Sequence, residues 1–448
     1  MPAIVSRQGG FAAVLGFIAV LAGGVGVMHA MDMLRVGTHY AAKIVCSGVF
    51  VAGRDAAQVI ADDVQAPGVA IFKALTVEVD RAQTLVRVHL PPGLARAVAV
   101  YRPGTGCTGV PDGDIDSARR HAFAPTAHAA PDPALPWPAG ERADADAAMQ
   151  AAVADDGLAG PGARALVVVH RGRLVAERYA PGFDAGTPLP GWSMAKTANA
   201  ALVGIAIADG RLRLEQTGFW PQGDERAGVS LAHLLAMTSG LLWDEGYGTV
   251  SDVTRMLFLE ADMAAYARAR PLATTPATTW NYASGSSVLL ARLWQDAAGD
   301  GALRVPHERL FTPLGMRSAV FEADARGTFV GSSYLHASAR DWARLGLLLL
   351  QDGVWNDRRM LPEGFVAQMR SPVPPSNGEY GAGQIWLHGG KTAAGIPDDT
   401  YAMEGHDGQY VFVVPSQQLV IVRLGLTPSS MGYSALPLVA AVAKAAGG

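Results

Sequence analysis

The chain has 448 residues, which is enough to bury a large core and to hold more than one domain. Its formal net charge is -4 and only 17% of its residues are charged, so it lacks the basic footprint of a nucleic-acid-binding protein. We therefore predict no nucleic-acid partner. Half of the residues are hydrophobic, yet only one uncharged segment is long enough to matter for membranes.

That segment spans residues 9–30, between Arg7 and Asp32. It is either an export signal or a membrane anchor. Cleavage after Ala30 would leave Met28 where a small residue is usual, which favours a retained anchor. The positive-inside rule then places the rest of the chain outside the cytoplasmic membrane, in the periplasm, or makes it secreted if the segment is cleaved.

The two cysteines, Cys46 and Cys107, both follow this segment. In an oxidising compartment they could form a disulfide that closes a loop of about 60 residues, worth about 4 kcal/mol by the chain-entropy estimate. Two unpaired buried thiols are the alternative. We predict the disulfide.

Between the membrane segment and Cys107, residues 31–107 contain short β-like runs at 44–51, 74–79, 85–90 and 97–101, separated by Gly, Pro and Asp. They predict a small accessory β-rich region of unknown role. Residues 108–140 are rich in proline and alanine and poor in large apolar residues, which is typical of a linker.

Residues 141–448 form the predicted main domain. Its predicted helices are 143–154, 194–209, 288–298, 339–351 and 436–446, with a short apolar run at 231–237. Its predicted strands are 165–170 and 174–179, joined by a turn, and 409–414 and 419–426, which form an antiparallel pair.

The predicted helix at 194–209 is apolar on every side except its first turn, as expected of a helix in the centre of a domain. Ser193 and Lys196 stand there three residues apart, so their side chains share one face. Burial and the positive helix end both disfavour the ammonium form of the lysine, and a neutral lysine can take the proton of a serine nucleophile. S-x-x-K alone is a weak motif.

Two later segments strengthen the assignment of Ser193 and Lys196 as catalytic residues. Tyr282 and Ser284 form Y-x-S before a predicted helix, and a tyrosine there could share or relay the proton. His406, Gly408 and Gln409 precede the closing strands, where a glycine would let substrate lie close to the strand edge. The Lys-Thr-Ala sequence at 391–393 lies in a Gly- and Pro-rich loop without a strand pattern, and we predict no catalytic role for it.

The order S-x-x-K, Y-x-S and H-x-G over residues 140–448 resembles the serine β-lactamase and penicillin-binding-protein superfamily, in particular its class C-like branch of esterases, D-aminopeptidases and 6-aminohexanoate-dimer hydrolases. The resemblance implies an α+β fold: an antiparallel sheet flanked by helices plus an all-α subdomain. It implies a serine hydrolase with Ser193 as nucleophile and Lys196 and Tyr282 as proton-transfer groups. The implied oxyanion hole is the backbone N–H groups of Ser193 and Gln409.

The same resemblance implies that Ser284, His406 and Gly408 bind the substrate, a small ester or amide, and that no cofactor or metal is needed. His406 stands where the relatives carry the lysine of K-T-G, and a histidine is mostly neutral near pH 7. This departure weakens the case for a substrate held by its carboxylate, β-lactams included. Oligomeric state is not indicated.

Three other interpretations remain. Residues 191–195 resemble a nucleophile elbow with His406 as base, but an elbow serine follows a buried strand, and residues 184–192 contain two prolines and no strand pattern. The chain could instead be a non-catalytic or weakly active envelope protein that binds cell-wall peptides. A β-lactamase or D,D-peptidase is the third.

Overall fold

A computed structural model of the chain describes residues 28–66, 70–91, 93–126, 131–389 and 395–447. Most of the predicted membrane segment and the Lys-Thr-Ala sequence at 391–393 fall outside these residues, so neither prediction is addressed. Within the described ranges, no helix combines the length and the apolar character needed to cross a bilayer.

Antiparallel sheets dominate the strand structure. The strands are β1 Thr76–Asp80, β2 Leu85–Leu90, β3 Ala95–Arg102, β4 Gly106–Gly109, β5 Ala163–His170, β6 Arg173–Tyr179, β7 Leu189–Pro190, β8 Val320–Phe321, β9 Leu335–Ala337, β10 Val354–Trp355, β11 Arg358–Arg359, β12 Tyr380–Gly381, β13 Ile385–Leu387, β14 Tyr401–Gly405, β15 Gln409–Val414 and β16 Leu419–Gly425. A four-stranded sheet runs in the order β1-β2-β3-β4, a seven-stranded sheet in the order β12-β13-β14-β15-β16-β5-β6, and smaller sheets in the orders β7-β9-β8 and β10-β11.

Between β7 and β8 the regular elements of the described chain are all helical, which gives the all-α subdomain. Besides the helix of residues 28–46, the α-helices are Ala56–Val59, Ile115–Arg119, Ala147–Ala154, Asp156–Ala159, Ala195–Ala208, Leu231–Leu235, Asp252–Leu259, Met263–Arg268, Ser284–Ala298, Thr312–Leu314, Ala339–Leu350, Phe365–Met369 and Leu436–Ala446. Shorter 3-10 turns are Ala70–Ala74, Trp192–Met194, Ala302–Arg304, Pro374–Ser376, Pro415–Gln417 and Ser429–Met431, and π-helical turns are Ser47–Val51, Ile60–Gln65 and Pro306–Phe311. The predicted α+β fold is confirmed.

The seven-stranded sheet is covered on both faces because its central strands are apolar on both sides. In β16, Val420 and Val422 pack into the core that contains the helix Ala195–Ala208, whereas Leu419 and Ile421 pack toward the terminal helix Leu436–Ala446. This alternation follows from the period of two along a strand. The helix Ala339–Leu350 covers the Val420 face of the sheet, and the helix that follows Ser193 packs against the helix Ser284–Ala298 of the all-α subdomain.

The region before the main domain corrects one prediction. Residues 44–51 are helical, not β: residues 28–46 form one helix, which continues as the π-helical turn Ser47–Val51. Its apolar residues recur at helical spacing and pack against β2, β3 and β4, and this burial overrides the weak β propensity of the run. The other three predicted runs correspond to β1, β2 and β3.

The end of this helix is fastened to the four-stranded sheet. Cys46 and Cys107 form a disulfide, with their Cα atoms 6.0 Å apart, so the predicted pairing is confirmed. The predicted linker after Cys107 is partly structured: it contains the helix Ile115–Arg119 and the fully buried Trp137. The division into domains stays a prediction.

A buried charged cluster joins the N-terminal helix to the main domain; we call Lys43, Ser47, Cys107, Glu322 and His336 the Glu322 cluster. Glu322 accepts hydrogen bonds from Lys43 Nζ at 2.5 Å, Ser47 Oγ at 2.9 Å and the backbone N–H of Cys107 at 2.8 Å. The Nδ1 atom of His336 lies 3.3 Å from the same carboxylate. The Glu322 side chain has no solvent exposure, so this carboxylate depends on protein partners alone.

Candidate active site

Ser193 lies in the tight turn Trp192–Met194 that opens directly into the helix Ala195–Ala208. The preceding residue, Trp192, has a φ of 46°, which is rare for a residue with a side chain. Such conformations cost free energy and cluster at functional sites. The backbone around Ser193 is therefore held in an unusual geometry by its surroundings.

Lys196 is buried, with 1% of its surface exposed. Its Nζ lies 3.0 Å from Ser193 Oγ, 3.1 Å from Ser284 Oγ and 3.1 Å from the carbonyl oxygen of Ser332. Burial lowers the pKa of Lys196 to about 8, although the negative charge of Glu245 acts in the opposite direction. About a tenth of the amine is therefore neutral at pH 7, against well under a thousandth for an ordinary lysine, and the neutral amine is the form that a general base requires.

Tyr282 covers the lysine from the other side. Lys196 Nζ lies 4.6 Å from the centre of the Tyr282 ring, and the phenol interacts with Ser193. Burial, and after it the charge of Glu245, raise the pKa of Tyr282 above its ordinary value, which its hydrogen bond with Ser193 only partly offsets. Tyr282 is thus a neutral phenol. Ser193, Lys196, Tyr282 and Ser284, predicted from two motifs, lie together.

The hairpin between β14 and β15 borders the same site. The His406 ring lies 5.7 Å from the Trp192 ring, edge to face, and stacks on Tyr247 at 4.7 Å between ring centres. Gly405 touches the turn before Ser193: a Cβ atom added there would lie 2.1 Å from the carbonyl oxygen of Gly191. This contact requires glycine at position 405.

Gly408 and Gln409 connect the hairpin to β16. The Gly408 carbonyl accepts a hydrogen bond from Arg423 Nη1 at 2.6 Å. The Gln409 side chain donates to the carbonyl oxygen of Gly425 and accepts from its N–H, which ties β15 to β16. Their roles toward substrate stay predictions.

A family model described as Beta-lactamase matches residues 145–441, about two thirds of the chain. The chain belongs to the beta-lactamase family. The suspected superfamily is thereby confirmed. A search of curated proteins finds no significant match to this chain.

Solved structures similar to this family member share its fold. A proposed 6-aminohexanoate-dimer hydrolase from Bacillus anthracis is 22% identical over 63% of this chain and 79% of its own, with a TM-score of 0.54. A proposed β-lactamase from Bacteroides dorei is 20% identical over 66% of this chain and 97% of its own, with a TM-score of 0.53. EstCE1, a hydrolase with promiscuous acyltransferase activity, is 18% identical over 67% and 97%, with a TM-score of 0.53. Together with the family model, these likenesses support a hydrolase.

The sheet topology also excludes a nucleophile elbow at Ser193. Ser193 does follow a strand, the two-residue β7, which the sequence did not predict. That strand lies in the small three-stranded sheet, and its pairing with β9 is antiparallel. An elbow needs a central strand of a parallel sheet, whereas all the strand pairs of the seven-stranded sheet are antiparallel.

Sequence reasoning missed one charged residue of the site. Glu245 lies in the loop after the helix Leu231–Leu235, and its carboxylate accepts hydrogen bonds from Ser284 Oγ at 2.6 Å, Ser284 N–H at 2.9 Å and Trp243 Nε1 at 2.6 Å. The only available signal was an acidic residue shortly after the Thr-Ser-Gly stretch that ends at Gly240. In the part of the chain that the structure describes, no cluster of His, Cys, Asp and Glu is arranged to hold a metal ion.

Proposed function

We propose that the chain is a serine hydrolase of small esters or amides that forms an acyl-enzyme on Ser193. The observation that carries this proposal is the contact of a buried amine of lowered pKa, Lys196 Nζ, with Ser193 Oγ at 3.0 Å. A serine hydroxyl becomes an effective nucleophile when a neighbouring base takes its proton as it attacks.

The two proton-transfer groups have different parts in this scheme. Lys196 takes the proton of Ser193 as Oγ bonds to the substrate carbonyl carbon, and the carbonyl oxygen becomes an oxyanion. Tyr282, whose raised pKa keeps it protonated, gives its proton to the leaving alcohol or amine as the bond between that group and the carbonyl carbon breaks. Lys196 then passes its proton to the Tyr282 phenolate. In a second cycle, water attacks the acyl-enzyme and releases the acyl group from Ser193.

The oxyanion would be bound by the backbone N–H of Ser193 and by one from the hairpin. Gln409 is the donor that the family resemblance implies. His406 is a second candidate, because it directly follows Gly405, the hairpin residue in contact with the turn before Ser193.

For the substrate class, we propose neutral short-chain esters or uncharged amides over β-lactams. The side chain that would meet a substrate carboxylate in lysine-containing relatives is here His406, which stacks on Tyr247. Arg164, whose charge acts on the neighbouring Asp407, is already paired with Asp63. A charge-assisted hydrogen bond is worth about 1.5 to 3 kcal/mol, so its loss lowers the affinity for a carboxylate by roughly one to two powers of ten.

Labelling with a fluorophosphonate probe tests the mechanism. The wild type should be labelled and Ser193→Ala should not; equal labelling, or none in either, would refute the acyl-enzyme and favour the peptide-binding alternative.

The substrate class is tested by comparing a chromogenic butyrate ester with a chromogenic cephalosporin, in the wild type and in His406→Lys. Faster cephalosporin turnover by the wild type would overturn the proposed preference, and no gain in His406→Lys would exclude His406 as its determinant.

The location is also a proposal: anchorage through residues 9–30, with the hydrolase outside the cytoplasmic membrane. The Cys46–Cys107 disulfide supports an oxidising compartment. Membrane fractionation followed by protease digestion of intact spheroplasts tests it. Protein found in the cytosolic fraction would contradict the proposal.

A further inference from the structure

Glu245 is a charged group beside the reacting atoms that the proposed mechanism leaves without a role, although its charge acts on Lys196. Its carboxylate is directed at Ser284 through both oxygens: Oε1 accepts from the Ser284 hydroxyl at 2.6 Å, and Oε2 accepts from the Ser284 backbone N–H at 2.9 Å. The residue before Ser284, Ala283, provides no side-chain cap for the helix Ser284–Ala298. Glu245 therefore caps this helix and also contacts a hydroxyl that touches Lys196.

The direction of these hydrogen bonds is fixed by chemistry. An ionised carboxylate can only accept, so the single hydrogen of the Ser284 hydroxyl is donated to Glu245. Ser284 Oγ can then act only as an acceptor toward its other partners, Lys196 Nζ at 3.1 Å and the hydroxyl of Tyr247. The carbonyl oxygen of Ser332, also at 3.1 Å from Nζ, is likewise only an acceptor.

These constraints leave one orientation for the neutral amine. A neutral lysine has two N–H bonds and one lone pair; both N–H bonds are taken by Ser284 and Ser332. The lone pair is left for the third neighbour, Ser193 Oγ, at 3.0 Å. The amine is thus oriented to take the serine proton.

We propose that Glu245 is a positioning residue that, through the hydroxyl of Ser284, aims the lone pair of Lys196 at Ser193. This inference rests on the proposed function, because it assigns a role in the activation of the same nucleophile. With a glutamine in place of Glu245, the amide could donate to Ser284, and the Ser284 hydroxyl could then turn its hydrogen toward Lys196. The amine would lose its fixed orientation.

The charge of Glu245 gives the proposal a second readout. Burial lowers the pKa of Lys196 while the Glu245 carboxylate raises it. Removing that carboxylate charge should therefore lower the pKa further. Other titratable groups near the amine, among the residues that the structure describes, are Tyr282, over Nζ, and Tyr247 and His406, which stack on each other beside Ser284 and Trp192. Glu404, whose charge acts on Tyr282, is a further one. They are unchanged among the variants below, so they cannot produce a difference between them.

The experiment measures the rate of fluorophosphonate labelling from about pH 5 to about pH 10, a range that includes the Lys196 titration. In this reaction the Ser193 Oγ–P bond forms, the P–F bond breaks, fluoride leaves and the serine proton goes to Lys196. We expect Glu245→Gln to lower the plateau rate roughly ten- to a hundredfold, the range for loss of a charge-assisted hydrogen bond, and to move the acid limb of the pH–rate profile to lower pH.

The matched control is Asp244→Asn, which removes one carboxylate charge from an exposed position in the same loop and keeps an oxygen for its bond from Gly246 N–H. It should stay within about twofold of the wild type at an unchanged midpoint, as expected for an exposed, solvent-screened charge.

A second pair of variants separates positioning from a purely structural cap. If Glu245 acts through Ser284, then Ser284→Ala should lose a similar factor in rate, and the double variant should be no slower than Ser284→Ala alone. Additive losses, or a slower Glu245→Gln with an unshifted midpoint, would overturn the positioning role. A wild type that is not labelled would instead refute the proposed function itself.

Discussion

Neutralising Glu322 should destabilise the protein far more than neutralising an exposed carboxylate. Glu322→Gln leaves the Lys43 ammonium, whose side chain is 3% exposed, without its counter-ion. Breaking a buried ion pair by removing one partner typically costs about 3 to 5 kcal/mol, because a buried charge is left uncompensated. The loss should therefore be a large part of the free energy of unfolding.

The corresponding change in Tm is small because the chain is long. With an unfolding entropy of about 2.1 cal/mol/K per residue, the 448 residues give about 0.9 kcal/mol/K for a single transition. The expected decrease in Tm is thus about 3 to 5 °C. Differential scanning calorimetry and chemical denaturation both measure it.

Two variants make this measurement decisive. Asp296→Asn removes the exposed carboxylate that pairs with Arg292 one helical turn away, and should cost at most about 0.5 kcal/mol. Lys43→Met combined with Glu322→Gln removes both charges and should recover much of the loss. The reasoning would be refuted if Glu322→Gln were no less stable than Asp296→Asn, or if the double variant were as unstable as Glu322→Gln alone.

The pH dependence of the same variant has a definite sign. Burial alone would raise the pKa of Glu322, but Lys43 and His336 outweigh it and hold the pKa at about 2, below the ordinary 4.5. A lowered pKa in the folded state stabilises the fold above pH 4.5, and this contribution is lost as the pH falls toward 2. The stability difference between wild type and Glu322→Gln should therefore shrink over that interval.

Three further predictions concern other parts of the molecule. The rate of fluorophosphonate labelling should rise as the pH increases through about 8, the lowered pKa of Lys196, because the neutral amine is the base; a flat profile over that range would contradict this. Gly405→Ala would place a methyl group 2.1 Å from a backbone oxygen and should lower activity at least tenfold, whereas Gly228→Ala, with no atom within 4 Å of the added Cβ, should leave it unchanged. Replacing Cys46 and Cys107, 61 positions apart, by alanine should lower the free energy of unfolding by about 4 kcal/mol, measured by urea denaturation, while mass analysis of the unreduced wild type should find no alkylatable thiol.

Local patterns predicted the part of the fold that depends on local sequence. The helix after Ser193 was predicted because it is apolar all round, and its residues from Ala195 to Ala206 are indeed buried. The pair β15 and β16 was predicted from two apolar runs joined at a turn, and it is antiparallel. The helical conformation of residues 44–51 was not predicted, since it depends on packing against strands more than 30 residues away.

The candidate site likewise has contacts that follow from local sequence and contacts that depend on distant parts of the chain. Ser193 and Lys196 are one helical turn apart, so their contact could be predicted from spacing alone. Glu245 has no motif and comes to the site only because its loop folds over Ser284, 39 residues later. The contact between Gly405 and the turn before Ser193 likewise depends on the sheet and not on local sequence.

The Glu322 cluster has a consequence for the order in which the nascent chain matures. Lys43 and Glu322 are separated by 279 residues, and at about 5 to 20 residues per second the ribosome needs about 14 to 56 s to make the second after the first. During this interval the N-terminal helix has an ammonium group but not the carboxylate that will neutralise it. The four-stranded sheet and its disulfide can form early, yet the surface that meets Glu322 must stay hydrated until residues 320–337 are available. The contact between the N-terminal helix and residues 320–337 therefore forms late in folding.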